Sequence, residues 1–278
     1  MSSGNSLHGA GFQLSSAARW ALRALVALAL VFVYTPLVVV VINSFNADRT
    51  FSWPPRGLTL QWWRSASHSS GLRDALEQSV IVGLVATAIA LVLGTLAAFA
   101  LQRYRFFGKE AVSLLIILPI ALPGIVTAIA LSNAFTTILG IGLSIWSLVI
   151  AHATFCIVVV FNNVVARLRR LGGSIEEASM DLGATRWTTF RLVTLPNLRS
   201  ALLAGALLGF ALSFDEIVVT TFTAPADIQT LPLWIYSNLL NRQQAAVVNV
   251  AAAGLILLSA VPIYLTQRLS GDSTGGRM

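Results

Sequence analysis

Apolar residues in this chain neither alternate with polar ones, as on a strand, nor keep to one face of a surface helix. They run on for about 20 residues at a time, the length an α-helix needs to cross the hydrocarbon core of a bilayer. Six such runs are present, at Trp20–Ile42, Ser79–Leu101, Ala111–Ala134, Leu143–Val165, Ser200–Phe222 and Ala246–Gln267. The pattern predicts an all-α, polytopic integral membrane protein with six transmembrane helices and both termini on one side. The intervals are equally uneven. Met1 to Ala18 is rich in Ser and Gly and predicts a disordered tail, and residues 269–278 a second one. Asn43 to Gln78 is the longest connection on the far side. Its Trp53-Pro54-Pro55, Leu58-Thr59-Leu60 and Trp62-Trp63 predict a folded-back segment anchored at the interface by Trp side chains. Residues 167–199 form a long polar interval between spans four and five, where a short turn would have sufficed.

Composition agrees with the pattern: 56% of residues are hydrophobic and 10% charged, far from a soluble domain's balance. Charge then sets the orientation. Arg19, Arg23, Arg103, Arg105, Lys109, Arg167, Arg169, Arg170, Arg186, Arg191, Arg199, Arg268 and Arg277 fall on the side of the termini. Only Arg49, Arg56, Arg64, Arg73 and Arg242 fall on the other. The positive-inside rule therefore predicts cytoplasmic termini. The net charge of +7 is accounted for by these juxtamembrane clusters, and nothing in them forms the basic face or stacking platform of a nucleic-acid binder. The first span is longer than a cleavable signal's apolar region and ends at Asn43-Ser44-Phe45, which predicts an uncleaved anchor. Cys156 is the single cysteine, so no intrachain disulfide is possible. In Gln102 to Glu110, Gly108-Lys109 looks like the end of a phosphate loop, but Arg103 stands where the first Gly of that motif belongs.

The polar interval 167–199 carries the most information. Ser174-Ile175-Glu176-Glu177 fits a capping box that starts a short helix, with Ser174 accepting from a free amide and Glu177 reaching back. Gly183 fits the left-handed residue that ends it, and Thr185 a cap for a second helix from Arg186 to about Val193. That second helix would have an apolar face of Trp187, Phe190 and Leu192 to Leu195. Pro196 suits the first turn of span five. Such a hairpin could simply lie on the membrane surface. However, Glu177-Ala178-Ser179, then Gly183, then Val193-x-Leu195-Pro196 resembles the EAA loop of the permease subunits of bacterial type I ATP-binding cassette importers, with Ser179 replacing the usual second Ala. The resemblance implies that Glu177, Ala178, Ser179, Gly183, Leu195 and Pro196 contact or orient a cytoplasmic ATPase. It implies a dimer of that ATPase, an extracytoplasmic solute-binding protein and a second, homologous permease as partners. No cofactor is implied in this chain, because ATP and Mg would sit on the ATPase.

Most of the chain is similar to the spermidine and putrescine permeases of that family. The similarity is carried by Asn43-Ser44-Phe45-Asn46, Tyr104-Arg105-Phe106, His152-Ala153-Thr154-Phe155-Cys156, Leu212-Ser213-Phe214-Asp215-Glu216-Ile217-Val218-Val219 and Leu231-Pro232-Leu233-Trp234-Ile235-Tyr236-Ser237. The implied cargo is a polyamine. Asp215 and Glu216 also stand out on physical grounds, since a carboxylate at mid-membrane costs about 2.5–3.5 kcal/mol. Counted from Ser200 along a continuous helix, Asp215 would lie roughly 22 Å in. Adjacent helical positions point about 100° apart, so one carboxylate can line a path while the other pairs elsewhere. Phe214 offers an aromatic face to an ammonium group. A purely structural pair remains the competing reading. In span three, Pro119, Pro123 and Gly124 should interrupt the helix and leave carbonyls unpaired. Polyamine permeases commonly carry an acidic residue after the second proline, where this chain has Gly124. His152 reads either as a hydrogen-bonded structural group or as a proton relay. The alternatives are an importer of the same architecture for an organophosphonate or amino-acid-like solute, and a stand-alone secondary transporter. No zinc or nucleophile motif supports a membrane enzyme.

Overall fold

The computed structural model describes residues 15–48 and 53–271, without the side chains of 259–271. Most of the first tail (residues 1–14), Arg49 and residues 272–278 lie outside the described residues. The described chain is helical, with a single isolated β-bridge, Asn46 to Leu58. In order the helices are α1 (Ser16–Asn43), α2 (Gln61–His68), α3 (Ser70–Arg103), α4 (Lys109–Ala121), α5 (Gly124–Asn133), α6 (Ile145–Leu171), α7 (Ser174–Asp181), α8 (Arg186–Thr189), α9 (Leu195–Phe214), α10 (Val218–Thr223), α11 (Leu231–Asn238) and α12 (Ala245–Gly271). Small hydroxyls start three of the long ones. Ser15, Ser69 and Ser144 accept from the otherwise free amides of Ala18, Leu72 and Ser147.

Among the described residues, four helical runs are long and apolar enough to cross a membrane: α1, α3, α6 and the continuous stretch Arg186–Phe214. The pair α4 and α5 makes a fifth if counted as one span. The sixth predicted run lies on α12, whose described apolar part is Ala245–Leu258. Several boundaries differ from those the sequence predicts. Helix α1 begins at Ser16, inside the predicted tail, and α12 reaches Gly271. Helix α3 begins at Ser70 rather than Ser79, because Ser69 caps it and polar residues continue the helix past the apolar run. Helix α6 runs from Ile145 to Leu171, past the predicted end at Val165. Span three is not one rod. It breaks at Leu122-Pro123 and the two parts lie at 108°. Pro123 disfavours the helical conformation of the residue before it, whereas Pro119 sits inside α4 without ending it.

The chain divides into two compact units. In the first, the segment after α1 folds back on itself: Ala47 donates to the Gly57 carbonyl at 2.9 Å and Thr59 to that of Phe45 at 2.7 Å. Trp62 is buried and donates through Nε1 to the Asn46 carbonyl at 2.9 Å, while Trp63 stacks on Phe45 at 5.3 Å. Trp62 is therefore a packing anchor and not an interfacial float; only Trp53 of that segment's tryptophans is largely exposed.

The second unit, Ser67–Asn241, is organised around α6, which packs against both α3 and α9. Helices surrounded by lipid gain little from hydrophobic burial against each other and rely on close packing, which small residues permit. A Cβ on Gly94 of α3 would meet the Ile157 carbonyl of α6 at 3.0 Å, and one on Gly205 of α9 would come within 3.3 Å of the Val160 backbone. Ala90, Ala98, Cys156, Val160, Val164 and Leu198 fill the seam. At the start of α6, Ser147 donates to the Thr223 carbonyl at the end of α10, at 3.0 Å. The amide of Leu231, the first residue of α11, donates to Ser79 of α3 at 2.7 Å.

Candidate functional site

Two places in the second unit depart from plain packed helix, and each contains residues singled out in the sequence. The first is the hairpin between α6 and α9. Helix α7 ends in a Schellman motif: Gly183 adopts φ 89°, its amide donates to the Met180 carbonyl at 2.9 Å, and the Ala184 amide donates to that of Ser179 at 3.2 Å. Thr185 then caps α8 by accepting from the Thr188 amide at 3.2 Å. Ser179 meets Thr189 at 3.1 Å and ties the two arms together. Glu177, Ala178 and Gly183 are exposed along the outside of the turn, as are Leu195 and Pro196 at the start of α9.

Two expectations for this hairpin are corrected. The capping box on Ser174 is not formed. Gly173 occupies the cap position, without a side-chain bond, and Ser174 is already helical. Glu177 folds back towards Gly173 but, among the described residues, its carboxylate makes no hydrogen bond. Its neighbour Glu176 is engaged instead. One oxygen lies 2.8 Å from Arg103 Nε, an ion pair whose N–H is not aligned for a hydrogen bond; the other accepts from Arg103 Nη2 at 3.2 Å and from the Thr194 hydroxyl at 2.9 Å. The same Nη2 donates to the Gly172 carbonyl at 2.7 Å. With side chains only 23% and 18% exposed, this pair is better sheltered than an open surface bridge worth about 0–1 kcal/mol.

The second arm also differs. It is not a separate helix ending at Val193. A π-helical turn, Phe190–Thr194, joins α8 to α9 without interruption. Pro196 has no amide to give to the Leu192 carbonyl in α-helical register, and a widened turn accommodates that loss. Asn197 supports it by donating to the Val193 carbonyl at 2.7 Å, and Arg167 of α6 donates to the Asn197 carbonyl at 2.9 Å. The predicted apolar face is divided. Phe190 turns inward against Phe99 of α3 at 5.3 Å, whereas Trp187, stacked on Phe190 at 5.6 Å, stays 68% exposed. Leu182 and Leu192 remain 90% and 67% exposed and, with Trp187, give the hairpin a large exposed apolar surface.

The second place is the end of α9. The sequence predicts span five as continuous to Phe222, but α9 stops at Phe214, with Asp215 as its C-cap, and the chain restarts as α10 at Val218. Asp215 and Glu216 thus occupy a break and not adjacent faces of one helix. Glu216 is half-buried, and its carboxylate accepts from the Val219 amide at 2.9 Å, capping α10. Asp215 is exposed and, among the described residues, its carboxylate has no hydrogen bond or ion pair. Phe214 lies against Phe210 at 5.6 Å.

His152, buried at 1% exposure, fastens this break from α6. Its Nδ1 is 2.8 Å from the Ser213 hydroxyl and its Nε2 3.0 Å from that of Thr220. Thr220 spends its proton on the Glu216 carbonyl at 2.8 Å, so Nε2 must be the donor to Thr220 and Nδ1 the acceptor from Ser213. Both ring nitrogens are therefore occupied by hydroxyls on either side of the break, the arrangement of a structural histidine. The crevice lined by His152, Phe155, Cys156, Leu212, Ser213 and Glu216 is too tight to hold a solute.

Pro123 and Gly124 are exposed at the α4–α5 break, and a Cβ on Gly124 would meet nothing within 4 Å. Helix α10 packs on α5, where Ala128, Phe135, Phe155, Val219 and Phe222 form a common core. The two broken spans thus share one packed pair of short helices. Sequence reasoning missed Arg103 and Glu176 as partners, since they lie 73 positions apart. It also missed the capping role of Glu216, which needed the break to be known.

Comparison with known proteins gives these places a context. Residues 90–271 match the family model described as "Binding-protein-dependent transport system inner membrane component". The chain is 36% identical to the spermidine/putrescine transport system permease protein PotC of Escherichia coli (strain K12), over 88% of this chain and 92% of that protein. It is 33% identical to the putrescine transport system permease protein PotI of the same strain, over 85% of each. Among solved structures it resembles a chain of a bacterial ABC transporter involved in the import of the acidic polysaccharide alginate. The TM-score is 0.68 with 15% identity, covering 94% of this chain and 99% of that one, a likeness of fold alone. A hairpin inserted between packed spans, two broken helices and these relatives lead to one assignment: the chain belongs to the binding-protein-dependent transport system inner membrane components, as a multi-pass permease subunit of an ABC importer and not an enzyme.

Proposed function

We propose that this permease carries a polyamine, spermidine or putrescine, into the cytoplasm by alternating access. The observation that supports this reading most is the 36% identity to PotC across nearly the whole chain. The chemistry of the α9 break fits such a cargo. An exposed carboxylate, Asp215, stands at a helix C-terminus, where the peptide dipoles already favour positive charge. Phe214 adds an aromatic face for a cation–π contact. A polyamine's ammonium groups can exchange hydration for these partners while its methylene stretches pass the apolar walls. Gly124 supplies no charge, so Asp215 carries more of the selection here than where an acidic residue follows the second proline.

In this reading the termini are cytoplasmic and a second, homologous permease completes the path; the crevice beside His152 is itself too tight for a solute. An extracytoplasmic solute-binding protein delivers the polyamine to the outer mouth. Two copies of a cytoplasmic ATPase, which hold the ATP and Mg, receive the 167–199 hairpin, with Glu177, Ala178, Gly183 and the exposed Leu182 in contact. Closure of the ATPases moves the hairpin, and the spans tilt against the partner permease.

The test is uptake of labelled putrescine and spermidine by cells lacking their own polyamine importers, supplied with this chain, its partner permease, ATPase and binding protein. Restored uptake that needs all four supports the proposal. Uptake of 2-aminoethylphosphonate without polyamine uptake would replace the cargo and keep the machinery.

A further inference from the structure

We infer that Arg103 and Glu176 are a positioning pair that makes the hairpin and span two move as one body, so that force arriving at the hairpin is delivered to α3. This rests on the reading of the 167–199 hairpin as the ATPase-docking element.

The Glu176 carboxylate gathers three separate elements. Arg103 is the last residue of α3, Glu176 sits in the first turn of α7, and Thr194 ends the π-helical turn that leads into α9. Arg103 also holds the carbonyl of Gly172, which caps α6. One guanidinium and one carboxylate thus connect the end of α3, the α6–α7 junction, α7 itself and the entry to α9. The planar fork of arginine can satisfy a carbonyl and a carboxylate at once, and a lysine cannot reproduce that geometry. The neighbouring Glu177 is exposed and has no partner within the described residues, which leaves it available to another chain. The acidic doublet therefore divides its work: Glu176 holds the hairpin to its own spans and Glu177 faces outward. The other contacts of α3 with the hairpin and its flanks, such as Phe99 on Phe190, are apolar and can slide; the ionic cluster cannot slide without breaking its bonds.

The test compares Arg103→Ala, Arg103→Lys, Glu176→Gln and the exchanged pair Arg103→Glu with Glu176→Arg, using Arg105→Ala as control. Each variant is reconstituted with the partner permease, ATPase and binding protein in proteoliposomes, and solute imported per ATP hydrolysed is measured per assembled complex. The expected result is a drop of at least threefold in that ratio for Arg103→Ala and Glu176→Gln, with ATPase still bound. Arg103→Lys should be intermediate, the exchanged pair should recover part of the loss, and Arg105→Ala should match wild type. A merely structural role would lower the amount of complex and leave the ratio unchanged, and that outcome overturns the inference. So does an exchanged pair no better than either single variant. If the wild-type chain binds no ATPase, the docking reading itself fails and this inference falls with it; if wild type is coupled and Arg103→Ala equally so, only the inference falls.

Discussion

Replacing Gly183 by valine, with asparagine as a companion that also adds a side chain, tests the backbone conformation of the turn. A Cβ at this position would meet nothing within 4 Å, so the substitution causes no clash within the chain. What it changes is the energy of φ 89°. A residue with a side chain loses about 1–2 kcal/mol in the left-handed region, and a β-branched one fares worst. At about 1.4 kcal/mol per factor of ten, roughly 2 kcal/mol lowers the population of the observed turn some 30-fold. The Schellman bonds from Gly183 to Met180 and from Ala184 to Ser179 go with it. The spans do not depend on that turn, so Gly183→Val should insert and purify in wild-type amounts. In proteoliposomes with its partners it should import at least tenfold less solute per ATP. Gly183→Asn is the companion variant, because asparagine tolerates the left-handed region, and it should keep most of the activity. Coupled uptake by Gly183→Val equal to wild type would refute the reasoning. Equal damage from Asn and Val would do so as well, because strain would then not be the cause.

Asp215→Asn should reduce uptake of spermidine by tenfold or more while affecting a zwitterionic solute much less, measured as competing uptake of labelled solutes; equal effects on both would return Asp215 to a structural role. Gly94→Val should destabilise the bundle by about 1–3 kcal/mol, since its side chain has no room beside the Ile157 carbonyl, and thermal unfolding in detergent should show a lowered Tm. Leu182→Asp should leave Tm unchanged, because the side chain is 90% exposed, yet reduce ATPase co-purification several-fold. Cys156, 1% exposed in the α3–α6–α9 seam, should resist maleimide in the folded protein and react once the protein is denatured in SDS.

Much of the fold is legible in the sequence because a bilayer imposes a crude length requirement that apolar runs meet visibly. Four of the six runs fall on unbroken helix along nearly their whole length and the other two on broken ones, of which the Pro119–Gly124 segment signals its break because proline acts locally. The Gly183 turn and the Thr185 cap are legible for the same reason. The features that escape depend on partners distant in sequence. Nothing near Asp215 interrupts the run Ile217-Val218-Val219, yet α9 ends there because Glu216 caps α10 and His152 reaches Ser213 and Thr220 from 61 and 68 positions away. Glu177 has the right spacing for a capping box with Ser174, but Arg103 recruits Glu176 and the cap position falls on Gly173. Pro196 reads as a boundary in one dimension, whereas a π-helical turn carries the helix past it.

ATP-driven import by the reconstituted four-component system tests the central claim most directly. Proteoliposomes holding this chain with its partner permease and ATPase would be given the binding protein and labelled spermidine, putrescine or 2-aminoethylphosphonate. The account predicts accumulation of a polyamine that requires ATP, the binding protein and the carboxylate of Asp215. Accumulation of polyamine without ATP or ATPase would contradict it, because the hairpin of Glu177 to Pro196 would then have no work to do.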